Sequence, residues 1–272
     1  MARHRLLLAC PLLACLLALV ASQAWALCLR NVAGGPAGMQ LASLLPVALE
    51  RGQVQVTYVG HSTFLIETAE GIKAATDYND YVRARATPDI VTMNIAHSTH
   101  YSRNVEPGVT HVLEGWGSPQ RAAEHNVVMG DMLVRNVPTN IRDGHATTYN
   151  GNSIFVFETA GLCLAHLGHL HHRLTPEHLK QLGHIDVLFV PVDGTWTLGP
   201  QQMLEVIEQI GAAVVVPMHY FGEAALLGFI DRVQRAPNLG HEVNFVAGSS
   251  AVFSRDTLPT AREIRVLRPQ RG

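Results

Sequence analysis

"AHLGHLHHRLTPEHLKQLGHIDVLFVPVDG", residues 165–194, changes character twice within one short span. It leaves an apolar run at Leu162–Ala165, places His166, His169, His171 and His172 within seven positions, and then starts a helix at Thr175-Pro176-Glu177. Thr175 can cap that helix, Pro176 is tolerated in its first turn, and Gly183 closes it. Ile185–Val192 follows as a strand with apolar residues on both faces, ending in Asp193-Gly194. Strand, histidine loop, helix and buried strand in succession predict an α/β chain whose chemistry sits in strand-end loops.

Working outward, the same grammar recurs. On the N-terminal side Val54–Tyr58, Thr63–Ile66 and Gly71–Thr76 read as a β meander, the last piece ending at Asp77. Ile90–Met93 reads as a buried strand that exits through Asn94-Ile95-Ala96-His97-Ser98-Thr99-His100. Met132–Val137 is another strand, and Ser153–Glu158, a Thr-Ala-Gly turn and Leu162–Ala165 form a hairpin. On the C-terminal side Pro200–Ile210 is a helix stopped by Gly211, and Ala213–Pro217 is a buried strand running into Met218-His219-Tyr220. Ala224–Arg235 is a further helix and Val243–Val246 a late strand. His97 and His100, the 166–172 cluster, Asp193 and His219 all follow strands. Neutral imidazole is the commonest ligand for borderline metals, so loops of this kind converging on one edge predict a metal site.

The remaining features bound the chain. Residues 1–26 carry Arg3 and Arg5, an apolar run interrupted by Pro11 and a terminal Ala24-Trp25-Ala26. That is the pattern of a cleaved secretory signal peptide, its apolar run being shorter than the roughly 20 residues that span a bilayer. A membrane anchor and a lipoprotein acylated at Cys15 are the competing readings. Cleavage leaves residues 27–272 as a single domain, exported to a periplasmic or secreted setting. Of four cysteines only Cys28 and Cys163 remain there, and sequence alone leaves their pairing open. Lys and Arg total 20 against 22 Asp and Glu, and loss of Arg3 and Arg5 makes the balance more acidic. With no basic run, neither a nucleic-acid partner nor stable membrane insertion is expected; a small-molecule substrate is, and oligomeric state stays open. No Gly-x-Ser-x-Gly nucleophile motif competes with the metal reading.

Gly60-His61-Ser62-Thr63-Phe64, the 89–100 strand and loop, residues 165–194 and "VVVPMHY" at 214–220 together resemble the metallo-β-lactamase superfamily, from about residue 54 to about residue 222. Among its branches they look most like the lactonase-like hydrolases related to ascorbate-6-phosphate lactonase. The resemblance implies an αβ/βα four-layer sandwich with metal between the edges of two sheets. It also exposes departures. The family's H-x-H-x-D-H loop is Ile95-Ala96-His97-Ser98-Thr99-His100 here, without its first histidine and its aspartate. A further metal histidine falls near Ile141, with His145 nearby as a substitute, and the family's bridging aspartate is His169.

What carries over is His97, His100, His169 and His219, so one divalent metal is expected rather than two. Zinc is the family default; manganese and iron also suit the donors. Four histidines require a coordination number of five or more if water is to bind as well. Asp193 stands where relatives carry glycine, and is either a catalytic carboxylate, acting as base or as partner to a ligating histidine, or an Asp-Gly turn residue. His61 and His172 are candidates for additional ligands or for groups behind the ligands; His166 reads as structural. His111, His125, His178, His184 and His241 read as surface residues, and Trp116 and Trp196 as either pocket lining or core. The implied activity is an exported hydrolase that uses a metal-bound hydroxide on an ester, lactone or phosphoester. A metal-binding protein that lost hydrolysis and a mononuclear iron redox protein are the alternatives.

Overall fold

The computed structural model describes Cys28 and residues 48–144, 146–236 and 238–270. The expected signal peptide, 1–26, and His145 lie outside the described residues. In chain order the elements are β1 (Gln53–Gly60), β2 (Thr63–Thr68), β3 (Lys73–Ala75), β4 (Ile90–Met93), β5 (His111–Glu114), β6 (Asn126–Met129), β7 (Met132–Asp143), β8 (Ala146–Thr159) and β9 (Leu162–His166). Then come α1 (Pro176–Leu182), β10 (Val187–Pro191), α2 (Pro200–Ile210), β11 (Val214–Met218), α3 (Glu223–Arg235), β12 (Glu242–Phe245), β13 (Ser250–Ser254) and β14 (Glu263–Val266). They form a six-stranded sheet in the order β13-β1-β2-β3-β4-β5 and an eight-stranded sheet in the order β12-β14-β11-β10-β9-β8-β7-β6.

The alternation of apolar residues explains why the sheets stack. Val54, Val56, Tyr58, Phe64 and Ile66 from one sheet share a core with Val134, Phe155, Phe157, Leu164, Phe189 and Val216 from the other. The opposite face of the eight-stranded sheet, with Ile154, Val156, Ala165, Leu188 and Val215, is covered by Leu182, Met203, Ile207, Phe229 and Val233 of the three helices. A strand buried on both faces has to be apolar throughout, as Val187–Pro191 and Val214–Met218 are. The two stacked sheets, with helices over the outer face of the larger one, are the α/β sandwich that the sequence resemblance implies. Its fourth layer departs from a helical one: Val59, Leu65, Val91 and Met93 on the outer face of the six-stranded sheet pack against Tyr78, Val82, Tyr101, Val105 and Trp116, which lie in loops.

Strand direction places the loops. β9, β10 and β11 run parallel, Phe189 beside His166 and Pro191 beside Met218, so their C-terminal ends reach one edge together. β3 and β4 are parallel in the other sheet, with Ala75 beside Val91, and deliver Asp77 and the 94–100 loop. Cys28 and Cys163 are joined by a disulfide between positions 135 residues apart. A buried pair also anchors α1: the Arg135 guanidinium binds Glu158 at 2.7 Å and donates to the carbonyls of Gln181 and Leu182. Among the described residues no helix is long and apolar enough to cross a membrane.

Candidate metal centre

Each of the four principal histidines is delivered by a strand end and held from behind. His219 follows β11 in a left-handed backbone conformation (φ 55°), its N–H donating to the carbonyl of His61 at 2.7 Å. His100 closes a tight loop by donating its N–H to the carbonyl of His97 at 2.9 Å. His169 follows Gly168 (φ 58°), and its own N–H donates to Asn152 Oδ1 at 2.8 Å. A Cβ on Gly168 would lie 2.5 Å from both Asn152 Oδ1 and Asn94 Nδ2, so only glycine lets the chain pass there.

His97, His100, His169 and His219 each present one ring nitrogen, and these atoms all lie within 4.8 Å of one another. The Nε2 atoms of His97 and His169 are 3.0 Å apart, and those of His100 and His219 3.1 Å. Metal–nitrogen bonds of about 2.1 Å put neighbouring donors at about 3.0–3.4 Å, so the closest approaches match ligand spacing.

The groups behind the rings decide what lies between them. His100 Nδ1 donates to Asp77 Oδ2 at 2.6 Å, and His219 Nδ1 donates to Asp193 Oδ1 at 3.0 Å. In the tautomer that places Nδ1–H on the carboxylate, the Nε2 of each ring is left to face the centre as an acceptor. Two lone pairs facing at this distance repel unless a cation sits with them, and a divalent ion fits the donors. The other two rings are backed by neutral groups: Thr99 Oγ1 is 2.7 Å from His97 Nδ1, and His171 Nε2 is 2.6 Å from His169 Nδ1.

Burial sets the charge states. Desolvation, followed by the neighbouring His100 and His219, lowers the His97 pKa to about 4. Desolvation with the surrounding imidazoles also pushes His169 well below the usual histidine range. Both stay neutral at physiological pH and keep lone pairs available. Burial alone would raise Asp77, but its electrostatic interactions with His100 and His166 and the hydrogen bonds from His100 and Asn94 outweigh it and bring the carboxyl to about 2. Asp77 was not among the residues expected from sequence, where it only ended an apolar piece. Its signal would have been an aspartate at the end of a buried strand.

Asp193 lies behind His219, as one of its two expected roles requires. The general-base role does not fit. Its Oδ2 accepts from the backbone N–H groups of Thr195, Trp196 and Thr197, and its Oδ1 accepts from Thr197 Oγ1 as well as from His219. Burial opposes ionisation, yet the bonds from His219, Thr197 and Trp196 hold the carboxyl far below the ordinary carboxylate range. A carboxylate so saturated orients a histidine and does not take protons at neutral pH.

His172 also departs from expectation. Its Nε2 accepts from the Asn140 N–H at 3.0 Å and its Nδ1 donates to the Arg173 carbonyl at 2.8 Å, so both nitrogens brace backbone and neither is left for metal. His61 stands beside the centre, its ring 4.2 Å from that of His219 and its Nε2 2.9 Å from Thr99 Oγ1. Burial, then the neighbouring His219 and His100, lowers its pKa to about 3. His166 is structural, bonded to the Ser62 carbonyl at 2.8 Å. His241, expected at the surface, is buried, while His125 stacks on Phe155. Trp116 packs beneath the six-stranded sheet and Trp196 is exposed.

Residues 55–219 match the β-lactamase superfamily domain. A metal-dependent hydrolase of Methanospirillum hungatei is 25% identical over 185 residues, covering 61% of this chain and 83% of the relative. The crystal structure of a Thermotoga maritima protein, named as a candidate zinc-dependent hydrolase of the metallo-β-lactamase superfamily, is similar with a TM-score of 0.58 and 27% identity, covering 79% of this chain and 98% of that one. The metallo hydrolase Igni18 of Ignicoccus hospitalis shares the fold at a TM-score of 0.53 and 18% identity, over 74% of this chain and 99% of that one. Matched across most of its sandwich and through to His219, the chain belongs to the metallo-β-lactamase superfamily.

Proposed function

We propose that this protein is an exported, metal-dependent hydrolase of esters, lactones or phosphoesters, nearest in kind to the lactonase-like branch, built round one divalent ion, with zinc the leading candidate. The observation that carries this reading is the facing pair His100 and His219, each fixed by a buried carboxylate with its Nε2 turned inward. His97 and His169 complete the donor set. When bound, the ion acts as a Lewis acid that polarises a carbonyl or phosphoryl oxygen and brings the pKa of a water toward about 7.

The chain's own residues do the rest. Asp77 and Asp193 fix the tautomers of His100 and His219 and strengthen their basicity. Thr99 links His97 to His61 through one hydroxyl, so the position where an acid/base aspartate was missing from the sequence holds a neutral, two-sided hydrogen-bonding group. His61 is held neutral beside the centre and can orient a polar substrate atom. Ile95 and Ile141, where ligands of a second ion would stand, offer no donor, which supports a mononuclear site. The leader pattern in residues 1–26 and the Cys28–Cys163 disulfide support export to an oxidising compartment.

The test is metal analysis of protein purified without a histidine tag, beside His100→Ala and His219→Ala. One equivalent of metal in the parent chain and its loss from both variants supports the site; no metal under metal-replete conditions sinks it. Hydrolysis of generic esters and lactones that disappears in both variants supports the hydrolase, whereas bound metal without turnover of any ester, lactone or phosphoester leaves a metal-binding protein.

A further inference from the structure

Four exposed apolar side chains lie on the loops that carry the histidines or the aspartates behind them. Tyr81, Trp196 and Phe221 are 70%, 65% and 71% exposed, and Ile95 41%. Phe221 lies two residues past His219, its ring 5.6 Å from that ring and 5.3 Å from His61. Trp196 belongs to the loop pinned by Asp193, to which it donates its N–H. The Tyr81 hydroxyl is 3.3 Å from Ser98 Oγ, between His97 and His100 in sequence, and Ile95 opens that same loop. Side chains of this size are costly to leave in water and mark a binding surface when they gather round a polar centre.

The charge balance points the same way. The carboxylates of Asp77 and Asp193 stand directly behind His100 and His219, 2.6 and 3.0 Å from their Nδ1 atoms. Arg83, two residues from Tyr81, is committed to Asp80 and Glu106, and Arg173 to Glu205. A phosphoester would therefore bring its formal negative charge toward two carboxylates and a rim of apolar groups. An uncharged carbonyl meets no such penalty.

We propose that Ile95, Tyr81, Trp196 and Phe221 form an apolar collar that selects uncharged substrates, carboxylic esters or lactones bearing an apolar acyl or aryl group, over phosphoesters. The collar rests on the hydrolase reading for its substrate, but its binding preference is measurable without turnover. In the reaction water supplies oxygen to the acyl carbon, the acyl C–O bond breaks, and the leaving alcohol takes the proton that water gives up.

Two arms test it on the mature, zinc-loaded chain. In the binding arm, tryptophan fluorescence follows titration with 4-phenyl-2-butanone, a neutral ester isostere that is not hydrolysed, with 2-butanone, which lacks the ring, and with phenyl phosphate. The phenyl ketone is expected to bind about ten-fold tighter than either comparison, and Phe221→Ala to remove most of that advantage at unchanged zinc content. In the turnover arm, p-nitrophenyl hexanoate is expected to exceed p-nitrophenyl acetate about ten-fold in kcat/KM, with p-nitrophenyl phosphate far below both. The Trp196→Ala/Phe221→Ala double variant should level the two esters, while Phe245→Ala, on β12, should preserve the preference.

Phenyl phosphate binding as tightly as the ketone, or a double variant that keeps the chain-length preference, overturns the collar and leaves the hydrolase standing. Binding selectivity with no turnover of any probe sinks the hydrolase and retains the collar. Association with phosphatidylcholine vesicles that depends on Trp196 and Phe221, without selectivity among the small probes, assigns these side chains to a lipid surface and also overturns it.

Discussion

The Nε2 atoms of His100 and His219 face each other at 3.1 Å, while the Nδ1 atoms behind them donate to Asp77 and Asp193. With His97 and His169 beside it the pair forms a candidate cation site, and the strength of that site would depend on groups that never touch the cation.

Asp193→Asn should lower metal affinity roughly 10- to 100-fold with little change in fold, because an amide weakens the hold on the His219 proton while still filling the loop. Competition with a chromogenic chelator measures it. Unchanged affinity would reduce Asp193 to a turn residue for Thr195–Thr197.

Gly168→Ala should cost about 1–3 kcal/mol or more, since it forces an alanine into a left-handed conformation and drives a methyl against Asn152 and Asn94. Asn94 bonds Asp77 and Asn152 positions His169, so metal content should fall along with the urea midpoint.

Chelation should lower the melting temperature of the parent chain and restoring metal should recover it, since an ion at 100 times its Kd adds about 2.7 kcal/mol to the folded state. His219→Ala should melt at the same temperature with and without chelator.

Replacing both Cys28 and Cys163 with serine should destabilise the fold by about 2–5 kcal/mol, because the bridge closes a loop spanning most of the sandwich. Chemical denaturation provides the number; metal stoichiometry should be unchanged.

Arg135→Met should cost about 3–5 kcal/mol by taking the guanidinium away from the Glu158 carboxylate and the α1 carbonyls, again without loss of metal. It separates damage to the scaffold from damage to the site.

Much of the architecture was legible because period and burial agree. Buried parallel strands such as Val187–Pro191 and Val214–Met218 can only be apolar runs, and Gly183 and Gly211 mark where helices stop. The long β7–β8 hairpin was read too short. Its outer part on β8, residues 146–150, is polar and mostly exposed, so it carries no hydrophobic period; Asp143-Gly144 was the available turn signal. β14 was missed for a different reason, as a short Glu-Ile-Arg-Val segment that becomes a strand only between β11 and β12.

By itself the sequence marked His97, His100, His169 and His219 as candidate donors at strand ends, because residue type and strand-end position are local properties. What stands behind each donor was decided by tertiary structure alone. Asp77 and Asp193 lie 23 and 26 positions from the histidines they hold, and His172, one residue from His171, is turned away to brace Asn140. Side-chain hydrogen bonds of that reach follow from how two sheets align their edges, and no spacing along the chain encodes them.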